Sequence, residues 1–80
     1  MLIRTQNKQK IFNLNKLVLF YTEKEGDTIK IELQTENIIG TLGKYSSEKK
    51  VIKVLDIIQD TYVEGKEKVF EMPADDEVIV

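Results

Sequence analysis

The 80-residue chain has no cysteine, no histidine and no tryptophan, and it has a single proline, Pro73. Without cysteine, no disulfide can brace the chain and no thiolate site can hold a metal. Without histidine, it lacks the commonest general base and the commonest metal ligand. These gaps exclude Ser-His-Asp and Cys-His catalysis, zinc hydrolysis and thiol redox work. No apolar run approaches the ~20 residues that a membrane-spanning helix needs. The start Met1-Leu2-Ile3-Arg4-Thr5-Gln6 lacks the basic-then-apolar layout of a signal peptide. The expectation is a cytoplasmic, non-enzymatic protein with no cofactor and no membrane contact.

A chain of this length makes one domain, burying roughly 60–65% of its unfolded surface. Its net charge of −2 is small but unevenly spread. Arg4, Lys8, Lys10 and Lys16 are the only charged side chains of residues 1–22, whereas Glu71, Asp75, Asp76 and Glu77 are the only ones of residues 71–80. Opposite charge at the two ends marks either a binding arm or two termini that lie together and neutralise each other.

The clearest structural signal is the stretch from Ser46 to Gly65. At 100° per residue, Val51, Val54, Leu55, Ile58 and Tyr62 share one stripe, with Lys50, Lys53, Asp56, Asp60 and Glu64 opposite. Ser46 or Ser47 is the N-cap, Glu48 suits the positive end of the helix dipole, and Gly65 supplies a left-handed stop. The spacing predicts one long helix over about 47–64.

The rest reads as strands. Leu2–Thr5 and Ile11–Leu14 flank a polar turn in which Asn7 suits a left-handed φ. Leu17-Val18-Leu19-Phe20-Tyr21 is apolar on both faces, the pattern of a central strand. Gly26 belongs to a three-to-five-residue hairpin loop joining residues 17–23 to 27–34. In the second of these strands Ile29, Ile31 and Leu33 alternate with Lys30, Glu32 and Gln34, one face buried and one wet. Ile38–Tyr45 follows, with Ile38 and Leu42 on one face and Ile39, Thr41 and Tyr45 on the other. Gly40 and Gly43 within it predict a bulge or a close backbone approach. A short last strand, Val69–Met72, stops at Pro73.

The expected fold is therefore α+β: an antiparallel, curled sheet of five or six short strands packed on one long helix, with a final strand after it. Residues 1–73 form the globular domain and 74–80 a mobile acidic tail that ends in Val78-Ile79-Val80, three β-branched residues suited to pairing with an open strand edge.

No arrangement of residues specifies a catalytic or metal site. Asp56 and Asp60 share a water-facing helix face and read as solvated charge. Asp75-Asp76-Glu77 lacks the spacing and glycine of a calcium loop. Gly40-Thr41-Leu42-Gly43-Lys44 has too few glycines and the wrong register for a phosphate loop. Two surfaces remain. Leu17, Leu19, Tyr21, Val78, Ile79 and Val80 are candidates for contact with a protein partner or with a second copy in a homodimer. Arg4, Lys8, Lys10 and Lys16, with Phe12, Phe20 and Tyr21 nearby, are the candidates for a weak single-stranded nucleic-acid surface, the alternative function.

Leu2-Ile3-Arg4-Thr5-Gln6, Leu42-Gly43-Lys44-Tyr45-Ser46-Ser47-Glu48-Lys49-Lys50, Val54-Leu55-Asp56-Ile57-Ile58 and Phe70-Glu71-Met72-Pro73 together resemble small uncharacterised proteins of Gram-positive bacteria and their phages. The resemblance touches most of the chain through short pieces. It implies a source and an α+β architecture, and brings no activity with it.

Overall fold

The computed structural model describes residues 1–14, 19–65 and 69–80. Its elements run β1 (Leu2–Arg4), β2 (Ile11–Asn13), β3 (Leu19–Glu25), β4 (Thr28–Gln34), β5 (Ile39–Tyr45), α1 (Glu48–Glu64) and β6 (Val69–Glu71), followed by a short 3-10 turn at Asp75–Glu77. The fold is α+β, but the strands form two sheets rather than one. One has the order β2-β1-β6, with β1 antiparallel to β2 and parallel to β6; the other is the antiparallel meander β3-β4-β5.

Ser47 opens α1, its hydroxyl accepting the Lys50 N–H at 3.2 Å, and Gly65 closes it at φ 66°. Val51, Val54 and Ile58 are buried and Leu55 is half-buried, as the stripe predicts. Tyr62 departs from it, being 67% exposed. Burial on this face ends at Ile58, and the last turn runs past the core.

Each sheet sends one face to that core. Phe12, Ile3 and Phe70 stand side by side on one rung of β2-β1-β6, and Ile31 and Leu33 do the same work in β4. Leu42, Tyr45, Met72 and Val78 complete the cluster with the buried helix residues.

The hairpin expected from residues 17–34 pairs Leu19–Glu25 with Thr28–Gln34, while Leu17 and Val18 lie outside the described residues. Its loop is shorter than expected. Gly26 and Asp27 alone connect the strands, with positive φ at Gly26 only, the sign pattern of a II′ turn. At the first hairpin it is Lys8, at φ 68°, and not Asn7, that takes the left-handed conformation. Asn7 acts through its side chain instead, its Oδ1 accepting from Gln9 N and Thr5 Oγ1.

Three further expectations are corrected. The central strand is β4, and β3 is an edge with a described partner on one side only. Its apolar run is therefore not buried on both faces, and Leu19 is 55% exposed. In β5 the register passes from Ile31↔Gly43 to Glu32↔Thr41, leaving Leu42 as an extra residue. This bulge breaks the alternation, so Leu42 and Tyr45 are both buried instead of lying on opposite faces. Lastly, within the expected tail 74–80, Asp75 and Val78 are seated on the protein, while Ile79 and Val80 are exposed. Asp75 Oδ1 accepts from Ser46 N at 2.8 Å, Lys50 Nζ donates to the Asp75 carbonyl at 2.8 Å, and Val78 is only 5% exposed.

Candidate interaction surface

The two rims of the β3-β4-β5 sheet are built differently. The β5 rim is closed at its bulge by Gln6, which β1 delivers there. The Gln6 N–H donates to the Leu42 carbonyl at 2.8 Å. Its side-chain Oε1 accepts from Lys44 N at 2.8 Å, and its Nε2 donates to the carbonyls of Lys44 and Pro73 at 3.0 and 3.2 Å. Tyr45 adds a hydroxyl bond to the same Pro73 carbonyl at 2.7 Å. Burial, helped by the nearby Asp75 and Glu77 carboxylates, raises the Tyr45 hydroxyl far above its ordinary pKa, so it stays a donor. A shallow groove of ≈ 270 Å³ lies beside this seam, lined by Gln6, Asn7, Thr41, Leu42, Gly43 and Lys44. The Gln6 amide is already committed to the chain's own backbone.

Gly40 lets β2 pack on the inner face of β5. A Cβ added there would lie 2.6 Å from Phe12 Cζ, so the ring from β2 packs directly on the β5 backbone. Only glycine leaves room for it.

Among the described residues, no strand pairs with the outer side of β3. Behind it, on the face turned away from the helix, lies a charged network. Glu25, Glu32 and Glu23 approach Lys30 Nζ at 2.8, 3.5 and 3.8 Å, and Lys44 Nζ reaches Glu25 at 3.2 Å. The hydrogen bond from Lys30, followed by that from Lys44, holds the Glu25 carboxyl below its usual range. The same bond to Glu25, with the surrounding carboxylates, holds the Lys30 ammonium above its own. Glu32 was expected on a wet face, yet it is 4% exposed, its Oε1 accepting from Thr41 Oγ1 at 2.8 Å. Lys30 fills the position where three carboxylates converge. No group of three or more acidic side chains among the described residues is arranged to hold a metal ion.

The remaining candidates are scattered. Tyr21 is half-buried on the same face as Leu19. Val78 is committed to this chain's own core, while Ile79 and Val80 are exposed and form no strand. Leu17 and Lys16 lie outside the described residues. At the basic end, Arg4 Nη1 and Lys8 Nζ both approach Glu71 Oε1, at 3.8 and 3.7 Å, and Arg4 Nε donates to the Lys8 carbonyl. Lys10 is exposed. Parallel pairing of β1 with β6 thus brings opposite charges from the two ends of the chain together.

Two residues with clear roles, Gln6 and Glu32, escape sequence reasoning. Gln6 looks no different from Gln9 in the same polar run, and Glu32 occupies an alternation slot that normally faces water.

No helix among the described residues is long and apolar enough to cross a membrane. No protein-family model matches the chain, and neither a curated protein nor a solved structure matches it.

Proposed function

We propose that the protein is a small, non-enzymatic interaction module that works by strand addition at the β3 edge. The observation that carries this reading is the contrast between a β5 rim bonded by Gln6 at Leu42 and Lys44 and a seven-residue β3 rim with no described partner. An open edge offers unpaired N–H and C=O groups in register, which is the chemistry by which extended segments dock on sheets. Leu19 at one end of β3, with Ile39 two strands away on the same rung and face, adds exposed apolar surface beside that edge.

The basic end supports its alternative less well. Arg4 and Lys8 already share Glu71, and Phe12 is packed on Gly40 rather than presented to a base.

Capture from lysate of the source organism tests the proposal when wild type and Leu19→Glu are compared, because a charge on a strand edge opposes pairing. The expected result is a partner, whether another protein or this one, retained by wild type and by the helix-surface variant Lys53→Glu but lost by Leu19→Glu. Equal retention by all three contradicts the reading.

A further inference from the structure

Resting on that reading of the β3 edge, we infer that its occupant is β3 of a second copy, paired antiparallel about Thr22 so that two three-stranded sheets become one six-stranded sheet.

Symmetry narrows the choices. A twofold axis perpendicular to the sheet keeps every residue on its own face, so a residue of β3 can only oppose one of the same parity. The axis must then pass through a residue. Centring on Glu23 sets two carboxylates directly opposite each other, and centring on Lys24 does the same with two ammonium groups; like charges in those positions are destabilising. Centring on Tyr21 opposes no like charges but carries the pairing beyond Leu19, so that within β3 only five of its seven residues pair.

Centring on Thr22 uses all seven. Thr22 then meets Thr22, a favourable cross-strand pair. Lys24 lies opposite Phe20, whose ring face attracts an ammonium group. Glu23 lies opposite Tyr21, and Glu25 opposite Leu19, so no like charges oppose. Both glutamates also bring their own counter-ion to the joint, since Lys30 of the same chain stands 3.8 Å from Glu23 and 2.8 Å from Glu25. The charges on β3 that would blunt an edge against strangers are spaced so that no two like charges lie directly opposite; the nearest like pair, Glu23 with its copy, is diagonal at about 7–8 Å.

The lack of native cysteine makes the register directly measurable. In the Thr22-centred pair, opposing Cβ atoms at position 22 come within about 5 Å. The two copies of position 24 are offset by four residues, roughly 13 Å, and those of position 25 by six, roughly 20 Å. Single variants Thr22→Cys, Lys24→Cys and Glu25→Cys, all at exposed positions, are oxidised at high protein concentration. Spin labels on the same variants give the distances where disulfide geometry is unfavourable.

The expected result is a cross-linked dimer from Thr22→Cys forming at least about tenfold faster than from the other two, with label distances rising from 22 to 24 to 25. Fastest cross-linking at 24, or a separation there of roughly 20 Å in place of 13 Å, as a Tyr21-centred pair would give, overturns the register. A monomer by sedimentation at every concentration overturns the second-copy assignment. That outcome is distinct from failure of the edge reading, which is judged by whether Leu19→Glu loses a captured partner of another kind.

Discussion

The two rims of one three-stranded sheet show how this chain distributes closure and access. At β5, a bulge and a glutamine with both ends of its amide engaged tie down the backbone at Leu42 and Lys44. At β3, seven residues run straight, paired on one side only among those described. Bulges and covering segments are the usual means of protecting an edge. Here, among the described residues, they are concentrated on one rim, and the other carries neither.

The strongest way to break this comparison is to remove the strand that both rims share. Leu33, fully buried in β4, lies between Phe20 of β3 and Gly40 of β5. Leu33→Ala should cost about 2–5 kcal/mol, read as a shift in urea midpoint, and in an 80-residue domain that approaches the whole stability.

Next comes β5. Gly40→Ala forces the Phe12 ring away and should destabilise by about 1–3 kcal/mol. The double variant with Phe12→Leu should lose less than the sum of the two single changes, because both act on one contact. Additive losses would mean that the ring moves freely. Gln6→Ala removes the side-chain bonds that tie Lys44 and Pro73, each worth about 0.5–1.5 kcal/mol net. Its signature is local: faster amide exchange at Lys44 with β3 amides unchanged.

The smallest effect is pH-dependent. Backbone hydrogen bonding from Ser46, with Lys50 nearby, lowers the Asp75 carboxyl below its usual pKa, and the Lys30 and Lys44 bonds lower Glu25. A depressed folded-state pKa contributes stability above the unfolded value and loses it as pH falls through the folded one. Thermal melts should therefore show stability declining between about pH 5 and pH 3. Asp75→Asn should flatten the part of that slope owed to the C-terminal segment, and salt should weaken the rest because these carboxylates are partly exposed.

How much of this was legible in the sequence depends on where the information sits. The helix was readable from its 3.6-residue period and its caps, since Ser47 and Gly65 act locally. So was the β3-β4 hairpin, from alternation and Gly26. The glycines of β5 pointed to a bulge or a close approach, and the structure has both. Which strand lies at the edge was not readable. An apolar run such as Leu17–Tyr21 suits a central strand, but position in a sheet depends on distant partners, and β4 took the middle. The division into two sheets was hidden for the same reason, because β1 finds β6 across most of the chain. Residues 74–80 looked like a tail because acidic composition suggests solvation. Composition could not reveal that Asp75 would meet the N–H of Ser46, or that Val78 would fill the core.

Concentration-dependent amide exchange most directly tests the claim that β3 is an edge that pairs with a second copy. From micromolar to millimolar protein, the β3 amides that do not bond to β4 should become progressively protected, while exchange at β5 and at Lys44 stays constant. Protection that is independent of concentration at β3, or that rises at β5 instead, would contradict it.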